Sequence, residues 1–197
     1  GLYISTADVP ADDSPYSRHY ARDNVVLGNG QLEMSVSKYS GSGPVMGSSI
    51  LTSQKFKYGS ARVVMKSTAV EGICIGHFFY ESDYQETDIE ILTSSATKAS
   101  STHEEGIWFS NQATSKATNA SKQLFDLGFD PSEGFHEYRI DWLPTYTAYL
   151  IDGKERGRLT TNVPSEEAQY VLNGWSDGGT WSLGPPETDA TFAIKAG

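Results

Sequence analysis

One cysteine, no long apolar run and a shortage of positive charge set the first limits on this 197-residue chain. With Cys74 alone in Gly72-Ile73-Cys74-Ile75-Gly76, no disulfide can form within the chain, and the thiol reads as a small buried hydrophobe on a core strand. The longest apolar stretch, Ile73 to Tyr80, falls far below the roughly 20 residues that span a bilayer. No leader-like segment opens the sequence, as expected if a leader has been removed or was never present. Fifteen Lys and Arg face twenty-five Asp and Glu, a net charge of −10 that argues against nucleic acid and anionic membranes as partners. His19, His103 and His136 form no metal-ligand spacing with one another or with Cys74. Heptads, internal repeats, nucleotide fingerprints and a Ser-His-Asp constellation are also missing, so no cofactor and no metal site is expected.

What the chain has is glycine, aromatics and short alternating runs. Nineteen Gly, eleven Tyr, eight Phe and four Trp accompany strand-like segments bounded by turn residues. Asn24 to Leu27, then Gly28-Asn29-Gly30, then Gln31 to Ser37 has the pattern of a tight hairpin. Gly47 to Lys55, Tyr58 to Lys66, Ile73 to Tyr80, Gly106 to Asn111, Phe135 to Trp142 and Tyr170 to Trp175 read as further strands. Asp152-Gly153 marks a second hairpin turn. Residues 1–22, rich in Asp, Ser and Pro, read as an irregular arm, and residues 164–169 as one short helix. The loop from Ala113 to Ser121 carries the only N-glycosylation sequon, Asn119-Ala120-Ser121. The expectation is one all-β domain over residues 1–197, a sandwich of two antiparallel sheets, monomeric.

Within that frame, Glu86-Thr87-Asp88-Ile89-Glu90 stands apart. Side chains along a strand alternate faces, so Glu86, Asp88 and Glu90 point one way while Thr87 and Ile89 point the other. Three like charges on one strand face repel, and strands are depleted in Asp and Glu. The Glu86 and Glu90 Cα atoms lie about 13 Å apart at strand rise. Side chains leaning together can close that gap to the roughly 5–5.5 Å between the carboxyls of a retaining glycosidase. Asp88, between them, can hold a proton and separate their pKa values. A solvated acidic edge or a set of calcium ligands are the alternatives, although calcium loops favour turn residues over alternation.

Aromatic rings offer faces on which sugar C–H groups pack. Trp175 and Trp181 flank the turn at Gly178-Gly179, which suits a cleft wall, and Asn173 shares a strand face with Trp175. Tyr80 shares a face with Phe78 and suits the same cleft. His77, on the other face, reads as a satisfied sheet histidine, and Trp142 as core.

These residues carry a resemblance. Glu86 to Leu92 resembles the E-x-D-x-E signature of family 16 glycoside hydrolases. Phe135 to Trp142 with Tyr149 to Lys154, Trp108 to Gln112, and Asn173 to Trp181 followed by Gly184-Pro185-Pro186 are similar to further segments of that family, in the same order. The match runs from about residue 24 to the end of the chain, and Tyr80 to Gln85 looks like secreted fungal members. The resemblance implies a β-jelly-roll with a concave sugar-binding cleft, Glu86 as nucleophile, Asp88 as helper and Glu90 as acid/base. It also implies a secreted protein, a polysaccharide or oligosaccharide substrate, and Asn111 in the cleft with Trp108 turned to the core. One residue between Asp88 and Glu90 preserves alternation, as in the lichenase, transglycosylase and fungal crosslinking branch, whereas the laminarinase-type variant needs a β-bulge. Thr87 stands where the family usually has Ile or Leu. Many such sandwiches hold a structural calcium, for which no ligands are identifiable here. Three functions stay open: retaining hydrolysis of β-1,3- or mixed β-1,3/1,4-glucan, transglycosylation with the same carboxylates, and a non-catalytic lectin-like module.

Overall fold

Register in the carboxylate strand is decided by what each face would cost. Ile89 and Ile91 are at most 1% exposed, each worth about 1.5–3 kcal/mol of burial. A one-residue slip would expose both and drive three carboxylates into the apolar interior, a far larger penalty. Similar alternation organises the whole chain.

The computed structural model describes residues 1–195; Ala196 and Gly197, the last two of the expected domain, lie outside the described residues. The strands are β1 (Leu2–Ile4), β2 (Asp8–Val9), β3 (Arg18–Tyr20), β4 (Val25–Gly28), β5 (Gln31–Val36), β6 (Val45–Thr52), β7 (Gly59–Lys66) and β8 (Cys74–Ser82). They continue as β9 (Gln85–Leu92), β10 (Ile107–Asn111), β11 (Ser121–Phe125), β12 (His136–Trp142), β13 (Thr147–Ile151), β14 (Lys154–Leu159), β15 (Gln169–Trp175) and β16 (Ala190–Lys195). One sheet runs β11-β10-β9-β8-β15-β6-β3-β2, with β1 also on β6; the other runs β14-β13-β12-β7-β16-β5-β4. The two face each other as the expected jelly-roll sandwich.

Both predicted hairpin turns form. Asn29 and Gly30 take φ of 52° and 73°, and Asp152 and Gly153 take 50° and 74°, the left-handed pair that a two-residue hairpin turn requires. Between the sheets lie Met34, Val36, Met65, Ile75, Phe79, Ile89, Ile91, Phe109, Tyr138, Ile140 and Phe192. Trp142 is core as expected, 1% exposed, with its indole N–H donated to the Pro164 carbonyl at 2.8 Å. His77 also faces inward. Its Nδ1 meets the Tyr170 hydroxyl at 2.6 Å, Nε2 has no partner, and burial pushes its pKa down to about 3. Asn119 sits exposed on the loop between β10 and β11.

Two expectations need correction. Residues 164–169 form no helix. Pro164 accepts the Trp142 N–H, Ala168 pairs with Phe56, and Gln169 opens β15, so extended backbone serves the sheet edge instead. Nor is the first segment irregular. β1 runs antiparallel to β6, while β3 runs parallel to it, the one parallel strand pairing among the described residues. This arm widens the sheet that carries the carboxylates and supplies side chains to its outer face.

Candidate active site

Cross-strand register arranges the outer face of the larger sheet in rows. Glu90 stands beside Trp108 of β10 on one side and Gly76 of β8 on the other; the row continues to Asn173 and Ser49. Asp88 stands between Ser110 and Phe78, whose row continues to Val171 and Leu51. Glu86 stands beside Tyr80. A trough of small residues (Gly76, Ser49) with Asn173 therefore runs away from Glu90, walled by Phe78, Val171 and Leu51 on one side and by Trp175, Tyr20 and Arg18 on the other. It opens into a cleft of about 490 Å³ lined by all three carboxylates.

Glu86 and Glu90 are half-buried, whereas Asp88 is 2% exposed. Burial pushes Glu86 up to about 7; a hydrogen bond from Asp88 pulls down and the Glu90 charge pushes up. Asp88 is raised well above the usual carboxylate range, first by burial and then by the charges of Glu86 and Glu90, although Gln112 Nε2 donates to it at 2.8 Å. Burial and its two charged neighbours favour a protonated Asp88, and a proton held there favours an ionised Glu86. Burial raises Glu90 as well, opposed by hydrogen bonds to Oε1 from Trp181 Nε1 at 3.0 Å and Cys74 Sγ at 3.4 Å, and by Lys122. Cys74 is buried as expected but faces the cleft side, where burial and the Glu90 charge keep it a thiol. Such a set can hold one proton donor and one carboxylate on a single strand face.

Of the expected binding residues, Tyr80, Asn173, Trp175 and Trp181 all lie on the carboxylate side. Tyr80 donates to Asp83 at 3.0 Å, and Asn173 Nδ2 donates to the Tyr20 hydroxyl at 3.3 Å while its Oδ1 has no partner. Asn111 does not belong with them. It pairs with Thr87, not with a carboxylate, and is fully buried between the sheets. There its Oδ1 accepts from Thr147 at 2.9 Å and its Nδ2 donates to the Thr161 carbonyl at 3.0 Å. Trp108 is correspondingly not core. It stands half-buried beside Glu90, its ring 5.5 Å from Trp181, with His103 edge-on to both. The signal was present: Ile107 and Phe109 on the inner face carry Asn111 inward with them.

Sequence reasoning assigned no role to Arg18, Tyr20, Gly76, Gln112 or Lys122. Lys122 Nζ lies 4.1 Å from the Trp181 ring, and the Arg18 guanidinium carbon 4.4 Å from the Trp175 ring. Neither was legible without the strand pairing that brings them in. Among the described residues, no group of three or more His, Cys, Asp or Glu is gathered to hold a metal ion.

Comparison with known proteins places the fold among glucanases. A β-glucanase of Acetivibrio thermocellus is 29% identical over 171 residues, covering 84% of this chain and 48% of its own length. A β-glucanase of Bacillus amyloliquefaciens is 31% identical over 131 residues, 64% of this chain and 51% of its own. The chain thus spans about half the length of these curated relatives. Among solved structures, a β-1,3-1,4-glucanase (lichenase) from a mouse hindgut metagenome superposes with a TM-score of 0.80 at 26% identity, covering 98% of this chain and 90% of the other. The Bacillus licheniformis β-glucanase shares the fold, with a TM-score of 0.81 at 21% identity over 99% of this chain and 90% of its own. The profile of the glycosyl hydrolases family 16 matches residues 12–191, and the chain belongs to that family.

Proposed function

We propose that this chain is a retaining endo-β-glucanase domain acting on β-1,3- or mixed β-1,3/1,4-linked glucan. The observation that carries the reading is the placement of Glu86 and Glu90 on one strand face in an open cleft, with a buried Asp88 between them. Glu90, whose carboxyl is raised by burial, donates its proton to the glycosidic oxygen as the C–O bond breaks. The ionised Glu86 attacks the anomeric carbon and forms a glycosyl ester; Asp88, donating to Glu86, fixes its orientation. Glu90, now a carboxylate, takes a proton from water, whose oxygen displaces Glu86 and releases the sugar with retention. Side chains stand on both sides of the carboxylates, Asn173 and Trp175 toward β15 and Trp108 and Trp181 toward β10. A cleft that continues on both sides of the carboxylates favours cleavage within a chain. The linkage class follows the relatives named β-glucanase and lichenase.

The Trp108–Trp181 pair beside Glu90 favours a second reading, in which a bound acceptor sugar replaces water and the same carboxylates transfer the glycosyl group. In either reading the enzyme acts as a monomer and outside the cell, where polymeric glucan is met. The fungal affinity suggested by Tyr80 to Gln85 remains part of this proposal.

Product analysis on laminarin, lichenan and xyloglucan tests it, comparing wild type with Glu86→Gln and Glu90→Gln. Shorter products abolished by either substitution support hydrolysis; lengthened products support transfer. No turnover, with glycan binding intact in both variants, would leave a lectin.

A further inference from the structure

Strands β2 and β3 do more than extend the sheet. Arg18 leaves β3 toward the cleft, and its guanidinium lies over the Trp175 ring at 4.4 Å. It makes no ion pair among the described residues, in a chain with ten more acidic than basic groups. Its Nε is buried without a hydrogen-bond partner. An arginine carries five N–H donors in a rigid fork and loses several kcal/mol of hydration when desolvated without compensation. Stacking on an indole returns only part of that. Arg18 lines the open cleft while its Nε lies buried and unpaired, so its remaining N–H groups form a donor set awaiting an acceptor.

The neighbours define that acceptor. Tyr20, two residues on along β3, receives the Asn173 amide N–H, and Asn173 Oδ1 itself lacks a partner. Arg18, Tyr20, Asn173 and Trp175 all line the same cleft as Glu86 and Glu90. Trp175 lies on β15, two strand spacings from β9, about 10 Å from the carboxylate strand. A ligand reaching Arg18 is therefore a sugar further along the glycan than the one under attack.

We infer that Arg18 is a substrate-binding residue that holds the ring hydroxyls of a glycan unit distant from the scissile bond, with Trp175 fixing the plane of its guanidinium. The inference rests on the glucanase reading above. It makes the N-terminal strands part of the substrate site and ties affinity to chain length: short oligosaccharides end before Arg18, and longer ones gain its hydrogen bonds.

The test compares a trisaccharide with a hexasaccharide prepared from lichenan. Binding is measured by calorimetry in a Glu86→Gln background and turnover in the active protein, for wild type, Arg18→Met and Arg18→Lys. Methionine keeps an apolar stem against Trp175 but has no N–H donors. The expected result is roughly tenfold weaker hexasaccharide binding and a matching rise in KM for Arg18→Met, with kcat and trisaccharide binding unchanged and an intermediate value for Arg18→Lys. Equal hexasaccharide affinity in wild type and Arg18→Met overturns the inference and reduces Arg18 to a packing partner of Trp175. Wild type that neither binds nor cleaves either oligosaccharide overturns the glucanase reading instead.

Discussion

The hydroxyls of Thr87 and Tyr149 meet 2.8 Å apart directly behind the carboxylate strand, joining the two sheets at the level of the candidate active site. Tyr149 also donates to the Ser110 carbonyl at 3.0 Å and contacts Thr147 and Asn111, so β9, β10 and β13 share one wholly buried polar knot. Phe109 stacks on the Tyr149 ring at 4.7 Å and seals it from water. The Thr87 hydroxyl pins the inner face of the strand whose outer face bears Glu86 and Asp88.

Thr87→Val removes that hydroxyl at nearly constant volume. Tyr149 keeps its other partners, so the expected loss of stability is modest, about 1–2 kcal/mol by urea denaturation. The kcat for glucan should fall several-fold with KM unchanged, because the binding surface is untouched while the nucleophile's support loosens. Thr87→Ser should recover most of the loss. Unchanged kcat in Thr87→Val would show that the knot stabilises the sandwich without positioning Glu86.

A methyl group at Gly76 would close the trough beside Glu90. A Cβ there lies 2.5 Å from Asn173 Oδ1 and 3.0 Å from the Phe78 ring. The residue needs no left-handed backbone, so Gly76→Ala displaces the Asn173 amide without straining the chain. Steady-state kinetics should show KM up by about tenfold, the cost of roughly one hydrogen bond, with far-ultraviolet dichroism unchanged. A KM equal to wild type would mean that substrate does not use this trough.

Much of this was legible before any pairing was known. Alternation set Glu86, Asp88 and Glu90 on one face, and Asn-Gly and Asp-Gly located their hairpins, because both signals are local. Which strand neighbours which is not local. Alternation with Ile107 and Phe109 already points Trp108 outward, against what the resemblance implied, but that it stands beside Glu90 is not readable until β10 is registered against β9. Arg18 was hidden for the same reason: a polar, proline-containing arm gives no sign that it will pair with β6 and reach Trp175. β16, short and terminal, carries Phe192 and Ile194 into the middle of the smaller sheet without any turn signature to announce it.

The buried carboxylates should also cost stability. The folded pKa of Glu86 is raised to about 7 from an ordinary value near 4.5, so the folded state holds the extra proton between those values. Stability attributable to this group is fully present below the unfolded pKa, and is lost as pH rises through the folded one. Glu86→Gln removes the titration. Thermal melts should show the variant more stable than wild type at pH 8, by about 1–2 kcal/mol after allowance for the half-exposed position of the carboxyl. The two should converge near pH 4. A wild type that gains stability with rising pH across this window would contradict the assignment.

Trp181 couples the Trp108 side of the cleft to the proposed acid. Its indole N–H on Glu90 Oε1 favours the ionised carboxylate and so opposes the upward push of burial. Trp181→Phe keeps an aromatic face under Lys122 and against Trp108 but removes the donor. The Glu90 pKa should therefore rise further, and protonated acid should persist to higher pH. In a profile of kcat/KM against pH, the alkaline limb, which follows loss of the Glu90 proton, is expected to move upward. The acid limb, which follows Glu86 ionisation, should move little. Movement of the alkaline limb toward lower pH would mean that Trp181 holds the proton on Glu90 rather than helping to remove it, and the acid/base assignment would have to pass to another carboxyl of the strand.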